Sequence, residues 1–82
     1  YWVDVTVYRS VAVRNEIARN ATGAHIEISH DNTFAFNLVH HNLDTGLLLT
    51  NASNVRVYNN TLAENGLNLF VRETARVADL AV

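Results

Sequence analysis

The feature that most limits what this chain can become is a period of about 22 residues. Four short alternating segments read Val3-Asp4-Val5, Ile26-Glu27-Ile28, Leu47-Leu48-Leu49 and Leu69-Phe70-Val71. Their last apolar residues, Val5, Ile28, Leu49 and Val71, are spaced by 23, 21 and 22. A second apolar set, Val11, Phe34, Val55 and Val77, follows each of these at an offset of six. The residues two further on are Val13, Phe36, Val57 and Asp79. A third set follows an Asn: Asn15-Glu16-Ile17, Asn37-Leu38-Val39 and Asn60-Thr61-Leu62. A second Asn column, Asn20, Asn42 and Asn65, trails by five, and Gly23, Gly46 and Gly66 close the units.

Self-similarity at such a period marks a repeat architecture. Period-two alternation makes each segment a strand with one face inward. Three strands in about 22 residues leave no room for hairpins around a separate core. Coiling solves the problem, because each strand then pairs in parallel with its equivalent one unit on, about 4.8 Å away. Like residues stack on like, and the Asn columns can bond to one another and to the backbone at the turns. The expected fold is all-β: a single-stranded parallel β-helix of about three and a half coils, with three short strands per coil. Residues 1–82 then form a partial, uncapped piece of a longer solenoid, with the rest of the same β-helix adjoining both ends. Solenoids need caps over their apolar cross-sections. The isolated segment is therefore expected to be marginally stable.

Rival repeats fit less well. Val55-x-Val57-x-x-Asn60-x-Leu62 satisfies a leucine-rich string, but the second half of each unit is again strand-like. The six-residue period of a left-handed hexapeptide helix is missing. A threonine ladder fails because the column Thr6, Ser29, Thr50, Arg72 breaks at Arg72.

Composition bounds the chemistry. There is no Cys, so neither a disulfide nor a cysteine zinc site exists. The formal charge is −2, which provides no basic footprint for nucleic acid. No apolar run has the length of a membrane-spanning helix. No signal peptide is visible in the sequence.

Outward positions should stack as the inward ones do. Between the inward pairs lie Asp4, Glu27, Leu48 and Phe70. Asp4 and Glu27 should therefore face solvent together on neighbouring coils, with backbones about 4.8 Å apart. Two carboxylates so close must share a proton or hold a cation. Carboxyl groups about 5 Å apart fall within the range of a retaining glycosidase pair. Asp4 and Glu27 are the candidate catalytic residues, one as general acid and the other as nucleophile or base. Trp2 and His25 stand two positions before them. Trp2 offers a flat face for a sugar ring and His25 a proton carrier near neutral pH. His30 joins as a third candidate substrate contact, provided the strand continues; Val7 would hold the same slot one coil earlier. Outward polar residues of a solenoid also serve simply to face water.

His40 and His41 are adjacent, and along a strand they point to opposite faces, so no metal site is expected there. Leu48 and Phe70 should extend the acidic column as an exposed apolar strip. Asn20-Ala21-Thr22, Asn51-Ala52-Ser53 and Asn59-Asn60-Thr61 match the glycosylation triplet, but Asn-rich turns generate it for structural reasons. No cofactor is expected, and calcium has no supporting motif.

The pattern resembles the right-handed β-helix repeats of pectin and alginate lyases, polygalacturonases, epimerases and phage tailspikes. Val55-Arg56-Val57-Tyr58-Asn59-Asn60-Thr61-Leu62 and Gly23-Ala24-His25-Ile26-Glu27-Ile28-Ser29 carry it most clearly. Trp2-x-Asp4 with His25-x-Glu27-Ile28-Ser29 is also similar to a pattern in bacterial β-helix proteins without assigned catalysis. The resemblance implies a secreted or cell-surface bacterial protein whose partner is a polysaccharide. Its activity would be that of a glycoside hydrolase, lyase or epimerase. The alternative is a non-catalytic structural or glycan-binding solenoid of a surface protein or adhesin.

Overall fold

A computed structural model describes residues 1–4 and 8–72. Ten strands follow one another: β1 (Trp2–Val3), β2 (Val11–Val13), β3 (Glu16–Ala18), β4 (Thr22–Glu27), β5 (Thr33–Ala35), β6 (Leu38–His40), β7 (Thr45–Thr50), β8 (Arg56–Tyr58), β9 (Thr61–Ala63) and β10 (Leu67–Arg72). They pair only with equivalents one lap away, and always in parallel. Three sheets result, with strand orders β1-β4-β7-β10, β2-β5-β8 and β3-β6-β9. The architecture is the anticipated solenoid, with three strands per coil.

The lumen is a continuous apolar file system. Ile26, Phe34, Val39, Leu47, Leu49 and Val55 are wholly buried, and Ile17, Leu62, Leu69 and Val71 pack against them. Sheet-to-sheet corners use the left-handed backbone region at matched places in successive coils. Arg9, Asp31 and Asn54 form one corner file, with φ of 58°, 60° and 49°. Arg14, Phe36 and Asn59 form the next, and Arg19, His41 and Glu64 the third. Ile28 and Asn51 make a further corner after the long strands.

Asparagines fasten these corners. The Asn15 backbone N–H donates to Asn37 Oδ1 at 2.9 Å, and the Asn37 N–H donates to Asn60 Oδ1 at 2.9 Å. The side-chain amides donate onward to core carbonyls, Asn37 to Ala12 and Asn60 to Phe34, both at 2.9 Å. Asn20, Asn42 and Asn65 repeat the scheme. A third file, Ser10 on Asn32, was not anticipated; the Ser10 N–H donates to Asn32 Oδ1 at 3.1 Å. Among the described residues, no buried side-chain nitrogen or oxygen lacks a partner.

The register departs from expectation in two sheets. Ile26, not Ile28, lies opposite Leu49, and Leu49 lies opposite Val71. Ala24 lies opposite Leu47, and Leu47 opposite Leu69. The inward file is thus Val3, Ile26, Leu49 and Val71, while Val5 lies outside the described residues. A shift of two residues keeps every side chain on its own face, so apolar alternation cannot detect it. The left-handed φ of 44° at Ile28 removes that residue from the strand. In the second sheet the inward file is Ala12, Phe34 and Val57. Val11 and Phe36 instead face outward, at 63% and 51% exposed. The small Ala12 was passed over because its side chain carries little apolar signal. Val77 and Asp79 lie outside the described residues. The third sheet and both Asn columns keep the expected register.

Gly66 also leaves its expected column. Gly23 stands opposite Gly46, but the next position in that file is Asn68. The two aligned glycines are required by close approach. A Cβ on Gly23 would lie 2.7 Å from the Gly46 carbonyl oxygen and 2.8 Å from Asn42 Nδ2. A Cβ on Gly46 would lie 2.7 Å from Asn65 Nδ2.

Candidate functional site

The outward face of the sheet β1-β4-β7-β10 carries two adjacent files. Trp2 pairs with His25, His25 with Leu48, and Leu48 with Phe70. Beside it, Glu27 pairs with Thr50, and Thr50 with Arg72. Asp4 follows Val3, the partner of Ile26, so it continues the second file one coil before Glu27. β1 ends at Val3, so the pairing itself stops one residue short of Asp4 and Glu27. Leu48 and Phe70 do not extend the acidic file; the two-residue register shift moves them beneath His25. Leu48 is also nearly buried rather than exposed, at 9%, between His25 and Phe70. Thr50 and Arg72 take their places, which puts a cation in the file of Asp4 and Glu27.

The side chains on this face are mutually engaged. The Trp2 indole N–H donates to Glu27 Oε1 at 3.3 Å. The Trp2 and His25 rings are parallel within 5°, with centroids 5.9 Å apart. His25 Nε2 lies 3.3 Å from Thr50 Oγ1 and 3.9 Å from Glu27 Oε1. Trp2 remains 68% exposed. Trp2 thus joins Glu27 by a hydrogen bond and His25 by ring stacking across two coils, and the His25–Thr50 hydrogen bond ties the cluster to a third. The Arg72 guanidinium sits over the Phe70 ring, 5.9 Å from its centroid.

His30 does not share this face. β4 ends at Glu27, and the corner at Ile28 turns the chain before His30. His30 pairs with Tyr8 one coil earlier and with Ser53 one coil later. The neighbour in the preceding coil is thus Tyr8, not Val7, and Val7 lies outside the described residues. The His30 and Tyr8 rings stack at 4.8 Å and 7°. His30 Nδ1 is hydrogen-bonded to Asp31 Oδ2 at 2.8 Å, and the Asn54 amide donates to Asp31 Oδ1. The bond to His30 and the Asn54 amide together hold the Asp31 carboxyl below its ordinary value. Ile28, Ser29, His30, Asn51 and Ser53 line a shallow open groove of about 280 Å³ next to the sheet. A histidine oriented by a carboxylate at a groove edge is suited to hydrogen-bonding or exchanging a proton with a hydroxyl-rich ligand. Reading the residues as one continued strand missed Tyr8, Asp31 and Asn54. The clue was a histidine followed by Asp and Asn, residues favoured at left-handed corners.

A second ionisable group lies at the opposite corner. His41 takes the left-handed conformation, with φ of 53°, so the chain turns between the two adjacent histidines. Their rings meet instead of pointing apart, which removes the premise on which a shared site was discounted. His40 also bonds Glu16 across the coil gap. That bond is the main reason the Glu16 carboxyl titrates below its usual range. Among the described residues, no group of three or more His, Cys, Asp or Glu is arranged to hold a metal ion. No described helix is long and apolar enough to cross a membrane.

Stacked parallel strands, Asn-fastened corners and outward files with a one-coil spacing define a β-helix solenoid. Residues 3–78 match the family model described as right handed beta helix region, and the chain belongs to that family. No curated protein and no solved structure is similar enough to the chain to count as a match.

Proposed function

We propose that this chain is part of an extracellular solenoid that binds polysaccharide along the face of the sheet β1-β4-β7-β10. The observation that carries the reading is the Trp2, His25, Glu27 and Thr50 cluster beside the groove of His30. It sets an exposed aromatic ring on one coil, an imidazole and a carboxylate on the next, and a hydroxyl on the third. The one-coil spacing suits an extended polymer, because successive side chains along the face can meet successive sugars of one chain. Aromatic rings supply apolar surface to sugar faces while their N–H and O–H groups stay polar.

In the catalytic form of this proposal, Asp4 and Glu27 act on the glycan. One serves as general acid and the other as nucleophile or base. Arg72 lies two coils from Glu27, about 10 Å along the axis at about 4.8 Å per coil. It can attract an acidic sugar but does not reach the Glu27 carboxylate directly. A non-catalytic, glycan-binding solenoid is the second reading. The bond from the Trp2 indole to Glu27 favours it, since that carboxylate already has a structural task.

The test is binding and product release with neutral and acidic polysaccharides, using the protein and its Glu27→Gln and Trp2→Ala variants. Retained glycan binding with turnover abolished in Glu27→Gln supports catalysis. Binding without any released product, weakened severalfold by Trp2→Ala, supports the binding solenoid. If no polysaccharide is bound, or if Trp2→Ala and Glu27→Gln change neither binding nor turnover, the assignment to this face is wrong.

A further inference from the structure

Four ionisable side chains from three coils meet at the corner that follows β6. Glu16 is in β3 and His40 in β6; His41 comes next in the chain, and Glu64 follows β9. His40 Nε2 lies 2.7 Å from Glu16 Oε2, and His41 Nε2 lies 2.5 Å from Glu64 Oε2. The remaining ring nitrogens face each other, with His40 Nδ1 and His41 Nδ1 2.6 Å apart. The rings are nearly perpendicular, at 85°.

The outer contacts decide what the inner nitrogens can be. A carboxylate only accepts, so each Nε2 carries a proton. A neutral imidazole with its proton on Nε2 presents a bare lone pair at Nδ1. Two such lone pairs on nitrogens 2.6 Å apart repel unless a proton or a metal ion lies between them. With both rings neutral, Glu16 and Glu64 give the group a charge of −2, which draws a cation to that point; Arg19 near Glu16 offsets part of it. A carboxylate holding the far nitrogen of an imidazole is also the usual way proteins orient a metal-ligating histidine.

We propose that His40 Nδ1 and His41 Nδ1 form a two-histidine site for a borderline divalent metal ion such as Zn²⁺. Glu16 and Glu64 fix the tautomer and direction of each ring. Imidazole nitrogen suits zinc, copper and nickel, whereas magnesium and calcium prefer oxygen. Solvent completes the coordination, because the His41 side chain is 57% exposed. Tetrahedral zinc, with bonds of about 2.0–2.1 Å, sets its nitrogens about 3.3 Å apart. The exposed His41 ring therefore has to swing outward by less than about 1 Å. The site is independent of the glycan reading, because it is built on β3, β6 and the segment after β9 and uses none of Trp2, Asp4, His25, Glu27 or His30.

The experiment is a zinc chloride titration of the purified protein at slightly alkaline pH, followed by calorimetry and by NMR of the imidazole resonances. One equivalent should bind, shifting His40 and His41 and leaving His25 and His30 in place. His41→Asn keeps a residue that tolerates the left-handed corner, so the fold should persist while affinity falls at least tenfold. Glu64→Gln should weaken binding by about tenfold, and His40→Gln should match or exceed His41→Asn. Three outcomes overturn the proposal: no zinc uptake with His40 and His41 sharing only a proton, saturation at His25 or His30 instead, or unchanged affinity in a folded His41→Asn variant.

Discussion

The corners of this solenoid are made by single residues whose backbone enters the left-handed region. Most of them are Arg, Asn, Asp or His, and Ile28 is the β-branched exception. For an L-residue that conformation costs roughly 1–2 kcal/mol, least for Asn and Asp. These residues decide which side chains meet, because each one ends the strict alternation of a strand. Asp31 is the clearest case. It turns the chain and at the same time anchors His30 through its carboxylate. Folding favours the ionised form of Asp31, whose pKa is lowered first by His30 and then by Asn54. The stability it contributes is therefore complete above the unfolded carboxyl value of about 3.9 and lost as pH falls below it. Asp31→Asn should be less stable than the protein above about pH 4, and the two melting curves should converge as pH falls through the lowered Asp31 pKa. Curves that keep the same separation at every pH would show that ionisation of Asp31 is unlinked to folding. Neither the His30–Asp31 bond nor the His40–His41 contact could be read from the sequence. Both depend on a dihedral angle at one residue, which hydrophobic periodicity does not encode.

At the level of elements, faces were legible in the first and third sheets but not in β2, where Ala12 rather than Val11 points inward, and registers only partly so. The strands of the third sheet aligned correctly because Asn37 and Asn60 precede them as fixed markers. The long strands β4 and β7 carry inward apolar residues at 24 and 26 and at 47 and 49, and Ile28 continues the same alternation just past β4. A match displaced by two is then as good by pattern as the true one. The Trp2 and His25 stack was aligned correctly, because β1 offers one dyad, Trp2-Val3, to match against His25-Ile26. Thr50 and Arg72 were assigned to the wrong file for the opposite reason. The Asn columns are the elements' main fasteners. Asn42 is 2% exposed, accepts from the Asn20 N–H, and donates to Asn65 Oδ1 and to the Ile17 carbonyl oxygen. Asn42→Ala leaves buried donors and acceptors without partners and should cost about 2–4 kcal/mol in chemical denaturation. Leu43→Ala, at a neighbouring residue that is 78% exposed, should stay within about 0.5 kcal/mol. Equal losses in the two variants would mean that the Asn files do not fasten the coils.

The molecule as a whole is a stack in which each coil touches only the next. Stability in such an array is a sum of coil and neighbour terms. β4 and β7 each have a paired strand on both sides, and their inward residues Ile26, Leu47 and Leu49 are wholly buried. Amide exchange should therefore be slowest in β4 and β7 and faster in β1, which pairs on one side among the described residues. Hydrogen-exchange mass spectrometry that found uniform protection would replace this picture with a single all-or-none unit. The same stacking orders the outside: a side chain placed once per coil becomes a file, with no loop needed to assemble it.

Sequence alone determined the period, the parallel strands, the Asn files and the solenoid, because a core built by repetition writes its spacing directly into the chain. It also determined that Trp2 stacks on His25. Tertiary structure decided which outward residues share a file beyond Glu27, and which histidines meet carboxylates. A strand pattern repeats every two residues and so fixes faces only up to an even shift. Steric closure of the coil around Gly23 and Gly46, and the left-handed corners, remove that remaining freedom.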